Sequence, residues 1–222
     1  MGIKIGIDEA GRGCLAGPVS AGAVSIPAKL DLIKLSIKEG LPELRDSKKM
    51  TPRARSEWYD FLRHSKDKGD IAFAHSFVSP KTVDRINISN AANKAAWNAF
   101  LKTIRMASED KAVVSLDGSL YLKNRKSQMI LEQYLFDMGM TIRISARTVI
   151  GGDRTIPEVM LGSVVAKVAR DRLMERIAKK APDYSFELHK GYGTRKHVEA
   201  IKKYGIIEGF HRKTFISGIF PG

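Results

Sequence analysis

Gly2-Ile3-Lys4-Ile5-Gly6-Ile7-Asp8-Glu9-Ala10-Gly11-Arg12-Gly13 stands at the start of the chain, and its reading decides the fold. Residues 3–8 form a short apolar strand that ends on an acidic pair. Such a pair is costly unless something neutralises it, because the adjacent apolar residues desolvate its charges. The small residues that follow let the backbone approach a ligand closely. In a regular strand Asp8 and Glu9 point to opposite faces. Both reach one site only if the strand ends or bulges there, which Gly11 permits.

Working outward, Pro18 to Ile26 suits the hairpin partner of this strand, and Ile71 to Val78 reads as a third. Thr51-Pro52 opens a helix, with Thr51 as N-cap, Pro52 at the first helical position, and Trp58, Phe61, Leu62 and Ser65 along its inner side. A long helix is expected over Ser89 to Met106. Ala112 to Leu116 is a continuous apolar run that suits a fully buried strand. Ser127 to Asp137 reads as helix and Thr141 to Ile150 as strand. Thr155-Ile156-Pro157-Glu158 has capping-box spacing and introduces a helix to about Lys180. A last helix spans Arg195 to Tyr204 and ends at Gly205. A hairpin followed by alternating strands and helices predicts an α/β fold, a mixed sheet flanked by helices. With no repeat, low-complexity tract or linker, residues 1–222 are expected to form a single domain.

Two further acids sit at the ends of elements. Asp117 terminates the run Val113-Val114-Ser115-Leu116, and Asp153 follows Ile150-Gly151-Gly152. Taken alone, Asp153 is read equally well as a helix cap. Together Asp8, Glu9, Asp117 and Asp153 could converge on one edge of the sheet. That donor set suits Mg²⁺ or Mn²⁺, hard ions that prefer oxygen and keep several waters. Two such ions could activate a water and stabilise the leaving oxygen of a phosphoryl displacement.

Charge points the same way. Lys plus Arg number 38 against 24 Asp plus Glu, a net +14, and the stretch from Lys167 to Lys213 holds 13 basic against 6 acidic residues. A polyanion is the natural partner, and a phosphate backbone is the commonest one. The single cysteine, Cys14, excludes an internal disulfide and a cysteine-rich zinc site. No apolar run approaches a membrane span, and the N-terminus lacks signal-peptide features, so a cytoplasmic protein is expected.

Gly6-Ile7-Asp8-Glu9-Ala10-Gly11-Arg12-Gly13, continued by Leu15-Ala16-Gly17-Pro18-Val19, closely resembles the N-terminal signature of the type 2 ribonucleases H, of the bacterial ribonuclease HII kind. The resemblance recurs in order along nearly the whole chain: at Asp46-Ser47-Lys48-Lys49, Leu116-Asp117-Gly118, Gly152-Asp153 with Pro157-Glu158, Ser163, Ala166-Lys167-Val168 and Arg170-Asp171, His189-Lys190-Gly191-Tyr192-Gly193-Thr194, and His211-Arg212. It implies a ribonuclease H-like fold with a mixed five-stranded sheet, and a small basic helical part from about residue 185 onward. It implies four catalytic, metal-binding acids, carried over onto Asp8, Glu9, Asp117 and Asp153. The implied reaction is hydrolysis of the RNA strand of RNA·DNA hybrids, and cutting 5′ to ribonucleotides embedded in duplex DNA, leaving 3′-hydroxyl and 5′-phosphate ends. Gly11, Arg12 and Gly13 match a turn that senses the ribose 2′-hydroxyl, the group that distinguishes RNA from DNA. Tyr192 matches a tyrosine that packs on the deoxyribose after an embedded ribonucleotide. Lys48, Lys49 and Lys167 are candidate phosphate contacts, and Ser163, Lys167 and Asp171 share one helix face. A monomer is expected, and no protein partner is readable.

The chain departs from the family pattern in three places. Cys14 stands where proline is usual, loosening the turn. Gly151 replaces a common lysine, removing a positive charge near the metals. Asp117 and Asp153 are widely spaced because the segment around 122–140 looks inserted; Asp137, inside it, is read as surface. Two rival readings remain. One is another nuclease of the same fold, such as the type 3 enzyme, which lacks this Gly-Arg-Gly turn and carries an additional N-terminal domain. The other is a non-catalytic basic nucleic-acid-binding protein, which gives no reason for acids at three strand ends.

Overall fold

A computed structural model describes residues 2–107, 109–122, 133 and 135–217. Its first elements are β1 (Gly2–Ala10), β2 (Val19–Pro27), α1 (Leu32–Lys38), α2 (Pro52–Asp67), β3 (Ala72–Val78), α3 (Pro80–Ile86), α4 (Ile88–Ile104), β4 (Lys111–Asp117) and β5 (Arg143–Val149). They are followed by a short helical turn α5 (Gly152–Thr155), the long α6 (Pro157–Ala178), a 3-10 turn at Pro182–Tyr184, α7 (Phe186–His189), α8 (Arg195–Tyr204) and α9 (Lys213–Ile216). The strands form one sheet in the order β3-β2-β1-β4-β5. β2 pairs antiparallel with both β1 and β3, whereas β4 pairs parallel with β1 and β5. The mixed five-stranded sheet is the one expected.

Alternation along β1 assigns the two faces. Ile3, Ile5 and Ile7 pack with Ala92, Ala96 and Phe100 of α4. On the other face Val24 and Ile26 of β2 join Leu161, Val164 and Val165 of α6 and Trp58 and Leu62 of α2. α6 lies unusually close to the sheet because glycines floor it. A Cβ on Gly6 would sit 2.0 Å from the Glu158 carbonyl, and one on Gly22 would sit 2.4 Å from Gly162 O. Contact this tight between backbones fixes the helix that flanks Asp8. A third cluster joins Leu15 and Ala16 of the β1–β2 connection to Met174, Phe186 and Ile201.

Several sequence expectations hold in detail. Thr51 Oγ1 accepts from Ala54 N at 3.1 Å with Pro52 at the first helical position. Gly205 ends α8 at φ 79. Others need correction. β4 is not buried throughout: Val113 is 44% exposed, because α6 crosses β1 and β2 and leaves the start of β4 open. The capping box at Thr155 does not form. Residues 152–155 wind into α5, Thr155 donates to Gly151 O at 3.1 Å, and α6 starts after Ile156 with no side-chain cap. α1 and α3 were not foreseen. The helix expected from Ser127 lies mostly outside the described residues.

Candidate active site

β1 and β4 run parallel, so their C-terminal ends, and with them Asp8 and Asp117, reach the same edge of the sheet. β5 delivers Gly151-Gly152-Asp153 beside them, and Asp153 N donates to Asp117 Oδ1 at 3.1 Å. Carboxylate oxygens of Asp8, Asp117 and Asp153 all lie within 4.8 Å of one another. Asp8 and Asp153 are almost fully buried. Asp153 thus joins the cluster despite its distance in sequence.

Glu9 follows Asp8 at the end of the same strand. β1 keeps its register to Ala10, where it ends, and pairs Glu9 with Ala21. Its Oε1 accepts from Arg12 Nη1 at 3.3 Å, and its Oε2 is buried with no hydrogen-bond partner among the described residues. Arg12 also donates to Ser119 and Ser89 hydroxyls, at 3.4 and 3.3 Å. Three aspartates therefore gather, and the Glu9 carboxylate lies near enough to interact with both Asp8 and Asp117.

The electrostatics describe a site short of positive charge. Burial pushes the Asp8 carboxyl well above its usual value and the adjacent Glu9 charge adds to it, against a hydrogen bond from Ser163. Burial likewise raises Glu9, opposed by Arg12. It raises Asp117 too, with Asp153 N–H opposing. Two cations flank the cluster: Lys48 Nζ lies 3.5 Å from Asp153 Oδ2 and Arg154 Nε 3.8 Å from its Oδ1. Burial works against the Lys48 ammonium, but Asp8, Asp153 and Asp46 raise it above its ordinary value. Arg154 went unnoticed in the sequence. It puts a guanidinium close to the place of the lysine that Gly151 displaces.

Among the candidate substrate residues, Gly13 and Lys49 are exposed, whereas Gly11 is buried with φ +86. A side chain at Gly11 would also strike Arg170 Nε at 2.1 Å. Ser163 Oγ lies 2.7 Å from Ser47 Oγ and is bonded to Asp8. Lys167 is held by Asp171 at 2.9 Å. Tyr192 is 39% exposed, with Lys167 Nζ and Arg170 Cζ each 5.8 Å from its ring centre. Cys14 is fully buried and pairs with Tyr192 through an isolated bridge. The cysteine therefore tethers the turn to Tyr192.

A family model described as Ribonuclease HII matches residues 5–217. The ribonuclease HII of Fusobacterium nucleatum is 39% identical over 215 residues, 97% of this chain and 86% of that one. That of Thermosynechococcus vestitus is 36% identical over 217 residues, 98% of this chain and 85% of the relative. Among solved structures, the ribonuclease H2 of Pyrococcus horikoshii has a TM-score of 0.65 at 22% identity, covering 96% of this chain and 93% of that one, a likeness of fold.

Proposed function

The chain belongs to the ribonuclease HII family, and on that premise we propose that it is a divalent-metal-dependent endoribonuclease, with Asp8, Glu9, Asp117 and Asp153 as its catalytic acids. It cuts the RNA strand of RNA·DNA hybrids and, in duplex DNA, the phosphodiester 5′ to an embedded ribonucleotide. The products are a 3′-hydroxyl and a 5′-phosphate. The observation that carries this reading is the meeting of three carboxylates within 4.8 Å at one sheet edge. Carboxylates this close and this buried repel unless a cation sits between them. The buried Oε2 of Glu9, with no hydrogen-bond partner among the described residues, offers a further oxygen beside them. The donor set is all oxygen, which fits Mg²⁺ or Mn²⁺.

Two such ions, when bound, supply positive charge to the phosphoryl transition state and make an attacking water more acidic. The chain's own residues do the rest. Asp8, Glu9, Asp117 and Asp153 would hold the ions, from the ends of β1 and β4 and from α5, and the hydrogen bond from Asp153 N fixes the Asp117 carboxylate. Lys48 and Arg154 add fixed positive charge where a scissile phosphate would approach. Lys49 extends that phosphate-binding edge. The Gly11–Gly13 turn reads the 2′-hydroxyl, and the exposed Tyr192 ring packs on the next sugar, where a missing hydroxyl leaves room. The net charge of +14 draws in the duplex whatever its sequence.

The test is a duplex containing one ribonucleotide, incubated with Mg²⁺ or Mn²⁺. Cleavage 5′ to that nucleotide, and none of an all-DNA duplex, is expected. Binding without cutting under both ions overturns the reading.

A further inference from the structure

The two elements assigned to substrate reading, the Gly11–Gly13 turn and Tyr192, come from opposite ends of the chain. Two adjacent residues reach both. Arg212 is fully buried, and its guanidinium donates to three main-chain carbonyls: Nη2 to Gly11 O at 2.7 Å, Nη1 to Arg12 O at 2.7 Å, and Nε to Gly17 O at 3.0 Å. Its own N–H donates to Leu15 O at 2.7 Å. Burial lowers the Arg212 pKa, but only to about 10, so it stays charged at neutral pH.

His211 faces the other way. Its Nδ1 accepts from Ile207 N at 2.8 Å, which leaves its proton on Nε2, 3.2 Å from His197 Nε2. His197 Nε2 must then accept, so the His197 proton lies on Nδ1, 2.9 Å from Tyr192 O. One assignment of neutral rings satisfies every bond. His197 is also stacked on His189, with ring centres 4.4 Å apart, and His189 Nδ1 accepts from Gly191 N at 3.2 Å. The segment carrying Tyr192 is therefore gripped at successive backbone groups.

Peptide planarity turns the Arg212 contacts into a statement about substrate. The C=O and the following N–H of a trans peptide point in opposite directions. Drawing Gly11 O and Arg12 O inward onto Arg212 therefore directs the N–H groups of Arg12 and Gly13 away from it. Those are the donors that the turn can offer a ribose hydroxyl or a phosphate.

We infer that His211 and Arg212 form a positioning clamp that sets the turn amides and Tyr192 at one fixed separation, and so determines how sharply an embedded ribonucleotide is distinguished from a continuous hybrid. The inference rests on the functional reading above for what is recognised; the clamp itself rests on the contacts. Arg212 suits the task because a planar fork can hold three carbonyls at once, which a lysine ammonium on a flexible stem cannot.

The experiment compares Arg212→Lys, His211→Asn and His211→Gln with the wild type in three measurements: kcat and KM on a one-ribonucleotide duplex and on a continuous hybrid, amide hydrogen exchange, and thermal melting. The clamp predicts that Arg212→Lys lowers the ratio of the two kcat/KM values at least tenfold, mainly through KM on the one-ribonucleotide duplex. It predicts faster exchange in peptides covering 9–17 and 189–195 together. His211→Asn should show the same loss, and His211→Gln, whose amide nitrogen can replace Nε2, should recover it. A ratio within twofold of wild type in folded Arg212→Lys and His211→Asn overturns the clamp, as does faster exchange in one peptide alone. Should Arg212→Lys fail to fold, the Asn and Gln pair at 211 decides. A wild type that cuts neither duplex sinks the functional reading instead, and the exchange data still judge the clamp.

Discussion

Replacing Gly6 by alanine tests how the sheet positions its acids. The added Cβ would lie 2.0 Å from both the carbonyl carbon and oxygen of Glu158 and 2.3 Å from Val159 N. Ordinary contact begins at about 3.5 Å, so roughly 1.5 Å must be opened between β1 and α6. The obstructing atoms are backbone on both sides, and no side-chain rotation relieves them. Overpacking of this kind costs about 1–3 kcal/mol, and the absence of a flexible partner argues for the upper end. For a domain of this size about 3 kcal/mol lowers Tm by roughly 6–12 °C. The displaced residues adjoin α5, which carries Asp153, and a misplacement of about 1 Å can cost on the order of 100-fold in rate. Gly2→Ala on the same strand is the control, since its Cβ would meet nothing closer than 3.4 Å. Melting curves and cleavage rates on a one-ribonucleotide duplex measure both effects. Gly6→Ala melting with the wild type and cutting at its rate would refute the reasoning.

Acid should weaken the C-terminal histidine cluster. Burial lowers His197 and His211 from 6.5 to about 4, so the unfolded chain takes up protons below pH 6.5 that the folded chain refuses. Their contribution is complete above pH 6.5 and is lost as pH falls toward 4, by up to about 3 kcal/mol for one such histidine. Asp8, Glu9 and Asp117, raised by burial, act in the opposite sense, so the decisive quantity is the difference between wild type and His211→Gln in denaturant titrations at pH 7 and 4.5; equal losses in the two would contradict the prediction. Arg12→Ala and Tyr192→Ala should each shift preference away from the one-ribonucleotide duplex while changing Tm little, because both side chains are at least a third exposed. Paired cleavage rates and a melting curve check this, and an unchanged preference counts against both roles.

Much of this architecture was legible in local sequence. The alternating Ile3, Ile5 and Ile7 marked the strand that ends on Asp8, and Thr51-Pro52 and Gly205 marked helix ends through capping chemistry that acts over a few residues. The parts that were not legible depend on groups distant in the chain. Arg212 contacts Gly11, and Arg170 donates to Pro18 O at 2.9 Å and Ala16 O at 3.0 Å, pairings that leave no trace in periodicity. Glu9 was expected to share a site with Asp8 only if the strand ended or bulged there; β1 ends at Ala10 without a bulge, and the Glu9 carboxylate interacts with Asp8. Thr155 had the spacing of a cap, but the preceding residues coiled first and took its hydroxyl. The exposure of Val113 followed from where α6 crosses the sheet, which no pattern within β4 encodes.

Direct titration of Mn²⁺ into the wild type and into Asp117→Asn, with binding of an uncleaved duplex measured in parallel, puts the metal site itself to the test. The wild type should bind the ion, and Asp117→Asn should bind it at least tenfold more weakly while holding the duplex as before. Equal Mn²⁺ affinity in the two proteins would mean that the carboxylates meeting at the ends of β1 and β4 and in α5 do not hold the ion.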